Sequence, residues 1–444
     1  MKKILAMLLA ALMLFSLVAC AQKTETPAAP EADAATDAPA AEQPAETEEA
    51  PASESAEKVT ITWAVRESDN YPMALYDEMA QNFMDANEDI IVNVIPQGPL
   101  GTENEWIKAQ LAAGTLPDVL IDANVLAETS GALAEMPENI KDLFLEGTLA
   151  ASDGKYCMVP ATTQYRMQCY YNKAYFADAG VEIPTTWEEL IAACEKLQAA
   201  GYIPFIAPGT PDAWACSYMF WSSNCNSDII AAYPNFNHDL LAGDVKWNNP
   251  AHVKSLTRWK EDLVDPGYYF DGSSSLSYAQ ACQEFDTGRA AMMIDGSWRA
   301  AGYDGNNVTD FGCFEMPNIS GASTYCTLSH YWGVSATTEH PEAAWRFIEF
   351  VLGGDEETYK LYLEADGVFP VTKKEINVAA GPCLTEFMDN LKGLTLIPEI
   401  PYVYGDDALP TNTFDVISEE IYGFFAGTQT VEQALDNLDA ELAF

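Results

Sequence analysis

The stretch from Asp153 to Gly201, DGKYCMVPATTQYRMQCYYNKAYFADAGVEIPTTWEELIAACEKLQAAG, constrains the fold more than any other part of the chain. A turn at Asp153-Gly154 opens it. Two short β-leaning runs follow, Tyr156 to Val159 and Met167 to Tyr171, separated by the polar segment Thr162 to Arg166. After Pro184, Thr186 is placed to cap a helical turn, with Glu189 reaching back to the N–H of the capping residue. Leu190, Ile191, Cys194 and Leu197 recur at helical spacing, and Gly201 offers a left-handed stop. Strand, polar crossing, strand and capped helix in that order read as an α/β unit, with the polar segment passing between two lobes.

With 444 residues, the chain exceeds what one apolar core organises, so at least two compact units are expected. Its ends are not part of them. Residues 1–19 carry Lys2 and Lys3, then an apolar run too short to span a bilayer in the ordinary way, which reads as a secretion signal. Leu17-Val18-Ala19-Cys20 resembles the lipobox of bacterial lipoproteins, in which the cysteine receives lipid after cleavage. This makes Cys20 the expected membrane anchor. From Ala21 to Glu57 the chain is rich in Ala, Pro, Glu and Thr and has no aromatic residue, so residues 20–57 read as an anchor with a disordered tether. A coil of that length spans about 30 to 35 Å.

The charge balance, 22 basic against 67 acidic residues, gives −45 and excludes a nucleic-acid partner, which needs basic groups against phosphates. Nine cysteines remain after Cys20. An odd number cannot all pair within one chain, and no CxxC or Cys/His spacing points to a metal; Cys216 and Cys225 are the least implausible pair, the rest reading as buried thiols. The four histidines sit apart and read as solvated or capping groups.

Val59, Ile61, Trp63 and Val65 alternate as in a half-buried strand, which delivers the polar loop Arg66 to Tyr71, with Glu67 and Asn70, at a carboxyl end where open α/β sheets bind ligands. Ile90 to Ile95 is the next strand, and Pro117 to Ile121 starts another ahead of Asp122 and Asn124, where Asp122 could equally cap the next helix. A strand from Tyr202 to Ala207 leads into a turn that sets Asp212 beside Trp214. Sugar recognition uses such a pair, an aromatic face against pyranose C–H groups and a carboxylate for hydroxyls. Trp221, two helical turns on, equally suits a core. Ala290 to Ile294 is a buried strand, after which Asp295 and a Gly turn present Trp298. Beyond it, Ala344, Phe347, Ile348, Val351 and Leu352 form a core stripe behind the helix start His340-Pro341-Glu342, and Thr430 with Gln433 makes a capping box.

GKYCMVP, YYNKAYFADAGV and IPTTWEEL, with AQLAAGTLPDVLIDAN before them and FDTGRAAMMIDGSW after, resemble the signatures of the extracellular solute-binding proteins of ATP-driven importers, in the large subgroup that mostly binds sugars. The likeness runs from about Val59 to Leu442. It implies an α/β, two-lobe periplasmic-binding-protein-like (type II) fold with a hinge and an interlobe ligand cleft. Residues 58–163 and 318–372 would form one lobe, and residues 164–317 and 373–444 the other. It further implies a monomer without cofactor or metal, docking on an ABC permease with its ATPases. Ligand contacts implied across the cleft are Glu67, Asn70, Asn124 and Gln164, then Asp212, Trp214, Asp295 and Trp298, and lastly Tyr331, Trp332 and Phe414. Many relatives have small residues where Tyr331 and Trp332 stand, so this departure either narrows the site or adds a stacking platform.

The competing class is a surface carbohydrate-active enzyme with two working carboxylates. Among so many acids such pairs arise by chance, and the chain has no nucleophile elbow, HExxH or phosphate loop. A polyamine is the competing ligand, because an excess of acids also suits a cation.

Overall fold

The computed structural model describes residues 58–68, 70–98, 103–209 and 216–442. The expected leader, Cys20, the tether, and Asp212 with Trp214 lie outside the described residues.

Strand β1 (Val59–Val65) is central to a sheet ordered β2-β1-β3-β8-β4, where β2 is Ile90–Pro96, β3 Val119–Leu120, β4 Val159–Tyr165 and β8 Thr324–Val334. β1 pairs in parallel with β2 and β3, whereas β8 runs antiparallel to β3 and β4. The β4–β8 register shifts between Pro160 and Thr162, where a proline without an N–H interrupts the ladder. The first residues of β8 also pair in parallel with β9 (Thr395–Pro398). A second sheet is ordered β6-β5-β7, with β5 (Gln168–Asn172) antiparallel to both β6 (Met292–Asp295) and β7 (Phe311–Phe314). Only Arg166 and Met167 separate β4 from β5, so the chain steps from one sheet to the other across two residues.

The polar segment expected to cross between the lobes is mostly strand. Thr162, Thr163, Gln164 and Tyr165 pair with His330 to Thr327 of β8, because backbone pairing is indifferent to the polarity of the side chains that separates the two apolar runs. Tyr202 to Ala207, expected as a strand, makes only bridges, Phe205 lying between Tyr269 and Met292.

Each sheet has its own apolar core. Around the first, Trp63 meets Tyr76, Trp332 and Phe347 with ring centres 5.3, 5.3 and 4.9 Å apart. The stripe Ala344, Phe347, Ile348, Val351 and Leu352 is wholly buried here, carried by a helix (Pro341–Glu349) with proline at its start and by the wider π-type turn that follows. The second core is mainly helical: Phe220 stacks on Trp259 at 4.3 Å, and Trp221 is fully buried. Trp221 donates to His252 Nε2 at 2.9 Å, so His252 is a core acceptor rather than a solvated or capping group, and burial lowers its pKa to about 3. Cys225 is a buried free thiol, contrary to the expected pair with Cys216, whose side chain is outside the description.

Caps follow the sequence with one displacement. Thr430 and Gln433 form the capping box, but Glu189 accepts from the N–H and hydroxyl of Thr185 at 2.8 Å each, not from the N–H of Thr186, whose own hydroxyl does accept from Glu189 N. A second threonine beside the cap offers two donors to one carboxylate oxygen, where the cap offers only its backbone N–H.

Trp332 tests the core assignment. Its indole is 0% exposed among Trp63 and Tyr362, so Trp332→Ala is expected to cost about 3–5 kcal/mol in urea unfolding. A loss below about 1 kcal/mol, the scale of surface substitutions, would reject that role.

Candidate functional site

The carboxyl ends of β1, β3 and β4 bring together residues far apart in sequence. Beyond β1, Asn70 Nδ2 donates to Asp366 Oδ1 at 2.6 Å, and from the end of β4 Gln164 Nε2 donates to Asp366 Oδ2 at 3.2 Å. Beyond β3, Asp122 adopts φ 52°, a left-handed conformation uncommon outside glycine. It lies 3.1 Å from Arg66 Nε and 3.5 Å from His330 Nδ1. Asp122 therefore pairs ions rather than capping a helix. The cap is Asn124, whose Oδ1 accepts from Ala127 N at 3.2 Å. Glu67 is exposed on the same loop as Asn70.

A row of polar contacts continues toward the second sheet. Arg166 Nη1 donates to Gln164 Oε1 at 3.1 Å, while Arg166 Nε lies 2.8 Å from Glu399 Oε2. Arg166 is 1% exposed and Glu399 0%. Tyr218 donates to the other Glu399 oxygen at 2.8 Å, and the Arg166 guanidinium lies over the Trp298 ring at 5.7 Å. Phe414 packs edge-on against Tyr218 at 4.4 Å, with Tyr402 at 5.9 Å. Asn70, Gln164, Trp298 and Phe414 thus belong to one connected set with Arg166 as its junction.

Three expected contacts have other surroundings. Trp332 lies in the first core, as described. Tyr331, its neighbour on β8, points to the opposite face, where its hydroxyl donates to Thr148 O at 2.8 Å and its ring meets Tyr404 at 4.7 Å. Asp295 is fully buried with both oxygens engaged by internal donors. Alternation along a strand sends consecutive aromatics into two different packed layers, so neither Tyr331 nor Trp332 forms an open platform.

Arg166, Glu399, Asp366 and Tyr278 have no role in the sequence reading, and His330, read there as a solvated or capping group, instead faces Asp122. The one local signal is Arg166 itself, a scarce basic residue at the break between two β-leaning runs in a chain with only 22. Burial pushes the Asp366 carboxyl up to about 6, an effect only partly offset by the Asn70 hydrogen bond and the charges of His330 and Arg66.

A family model for bacterial extracellular solute-binding proteins matches residues 78–382. The chain belongs to that family. Membership places it outside the cytoplasm, and none of the described helices is long and apolar enough to cross a membrane. A maltodextrin-binding protein of Bacillus subtilis is 24% identical over 315 residues, covering 66% of this chain and 70% of that one. A multiple sugar-binding protein of Streptococcus mutans is 24% identical over 217 residues, spanning 47% of this chain and about half, 49%, of the relative. Among solved structures, a chitin oligosaccharide binding protein superposes with a TM-score of 0.73 at 23% identity, covering 87% of this chain and 98% of its own. A maltose-bound T. maritima protein gives 0.68 at 22%, covering 86% and 99%. The fold of this solute-binding protein is therefore the two-lobed α/β fold of those structures.

Two predictions concern its charged row. Removing one partner of a buried ion pair leaves the other uncompensated, so Glu399→Gln is expected to destabilise by about 3–5 kcal/mol in urea, and Arg166→Met combined with Glu399→Leu by less than the sum of the two single changes. Additive losses would show that the charges do not depend on each other. Asp366 keeps its proton in the folded protein after the unfolded chain has lost it, so stability falls as pH rises from about 4 to about 6. Against the parent, Asp366→Asn should gain relative stability across that window; a difference in unfolding free energy that is flat with pH would reject the raised pKa.

Proposed function

We propose that this solute-binding protein captures a carbohydrate, a mono- or oligosaccharide, between its two lobes and delivers it to a membrane permease whose ATPases drive import. The observation that carries the reading is the Trp298 ring set beside a row of amides and carboxylates running from Gln164 through Asp366 to Asn70. An aromatic face packs on the apolar side of a sugar ring, and amide and carboxylate groups bind its hydroxyls. The ligands of one relative and two structural neighbours, maltodextrin, maltose and chitin oligosaccharide, agree with that class.

The ligand-contacting set is then Glu67, Asn70, Asn124, Gln164, Trp298 and Phe414, joined by Asp212 and Trp214 from the sequence reading. Residues 58–163 with 318–372 form one lobe and residues 164–317 with 373–444 the other, and the protein acts as a monomer tethered through lipid on Cys20. It binds without turnover. A ligand that touches both lobes favours the closed arrangement, and its differential affinity alone sets how far the population shifts.

The test is a thermal-melt panel of malto-, xylo- and chito-oligosaccharides, monosaccharides and polyamines, followed by calorimetry. A bound ligand at a hundred times its dissociation constant adds about 2.7 kcal/mol of stability. Oligosaccharide shifts without hydrolysis are expected, and Trp298→Ala should weaken binding by about 2 kcal/mol or more. Shifts with polyamines alone, or release of sugar from the oligosaccharide, would overturn the proposal.

A further inference from the structure

Trp298 lies in the first turn of the helix Ser297–Gly305, which immediately follows β6. A tryptophan at an open helix start swings about two side-chain torsions, yet this one is held on three sides. Its ring folds back over Gly296, where a Cβ would come within 2.0 Å of ring carbon Cζ3, so the ring keeps this position only over a residue without a side chain. The Arg166 guanidinium lies over the ring. At the edge, Nε1 donates to the Tyr278 hydroxyl at 2.7 Å.

The chemistry of that last bond gives the chain a direction. An indole N–H only donates, so the Tyr278 oxygen accepts, and its single proton goes to Asp295, whose oxygens are 3.1 and 3.0 Å away. Asp295 also accepts from Gly296 N at 2.9 Å and Arg299 Nε at 2.5 Å. Arg299 Nη1 is held in turn by Asp286 at 3.2 Å and Tyr303 at 3.1 Å. With Asp295 fully buried, both of its oxygens are engaged by internal donors.

We infer that Asp295 and Tyr278 are positioning residues: through the relay Trp298 N–H to Tyr278 O–H to the Asp295 carboxylate, they fix the orientation of the indole and keep its N–H turned to the protein. This rests on the reading of Trp298 as a sugar platform. It reassigns Asp295 from ligand contact to support, and it removes the indole N–H from the donors available to sugar hydroxyls. Selectivity at this point of the site then follows from the shape and C–H face of the sugar ring rather than from one hydroxyl's position. Fixing the rotamer before binding removes an ordering cost from association.

The experiment uses the full chain with tryptophan labelled by nitrogen-15 on the indole, the Trp298 resonance being assigned by its loss in Trp298→Phe. In the ligand-free protein, Tyr278→Phe should move that resonance and speed its exchange with solvent, while the melting temperature stays near the parent's. In calorimetry with maltotriose, xylotriose and chitotriose, whichever binds the parent should bind Tyr278→Phe about tenfold more weakly. Asp295→Asn should act in the same direction, and Tyr278→Phe keeps the test open if Asp295→Asn fails to fold. An unmoved indole resonance, or affinity within twofold of the parent in Tyr278→Phe while Trp298→Ala loses binding, would overturn the positioning role alone. Unchanged affinity in Trp298→Ala would instead overturn the platform reading, and the positioning role with it.

Discussion

The buried contact between Arg166 and Glu399 ties the step between the two sheets to the segment that follows β9. Arg166 occupies the two-residue step from one sheet to the other, and Glu399 follows the strand that joins the start of β8. Taking both charges out of water costs several kcal/mol, which a single Coulombic contact offsets only when the remaining donors and acceptors are also used. Here Tyr218 donates to the second glutamate oxygen, and Arg166 Nη1 donates to Gln164. Apolar side chains of equal volume would fill the same space but would take from Gln164 Oε1 and the Tyr218 hydroxyl the partners that orient them. What the pair contributes is thus orientation more than stability.

That orientation divides labour across the site. The first sheet supplies hydrogen-bonding groups at strand ends, Asn70, Asp122 and Gln164, because loops there are short and polar backbone ends face outward. The second half supplies rings, Trp298 and Phe414, each seated at a helix start and braced by other aromatics or by Tyr278. Arg166 touches both sets, so the geometry of the polar row and of the platform cannot be adjusted independently.

Local patterns were readable wherever the determinant is local. The alternation of Val59 to Val65, the stripe from Ala344 to Leu352 and the capping box at Thr430 each depend on a few neighbouring residues, and each has its counterpart in the structure. Gly296 and Trp298 were legible for the same reason, as a turn followed by an aromatic. Glu189 misled by one residue because Thr185 and Thr186 compete for one carboxylate. Trp332 misled more deeply: composition marks a tryptophan as a stacking group, whereas the face it takes is set by strand register, which Pro160 shifts on the partner strand. Asp366 and Glu399 left no trace at all, since each acquires its role from groups hundreds of residues away along the chain.

The chain's charge of −45 suggests a cleft made for a cation, yet the site itself argues otherwise. Asp122 is matched by Arg66, Glu399 by Arg166 and Asp295 by Arg299. Asp366, flanked by two amides and not by an arginine contact, is instead pushed up to about 6, towards its neutral form. Three of 22 basic residues are thus spent where acids converge, in a protein whose surface is left strongly negative. A polyamine drawn to Glu399 or Asp295 would have to displace Arg166 or Arg299, leaving a buried guanidinium group without its carboxylate. A neutral ligand rich in hydroxyls meets no such penalty, because amides and an aromatic face bind without a charge of their own to discharge. The internal compensation of charge, more than the presence of tryptophan, is what favours the proposed sugar reading over a cation on so acidic a protein.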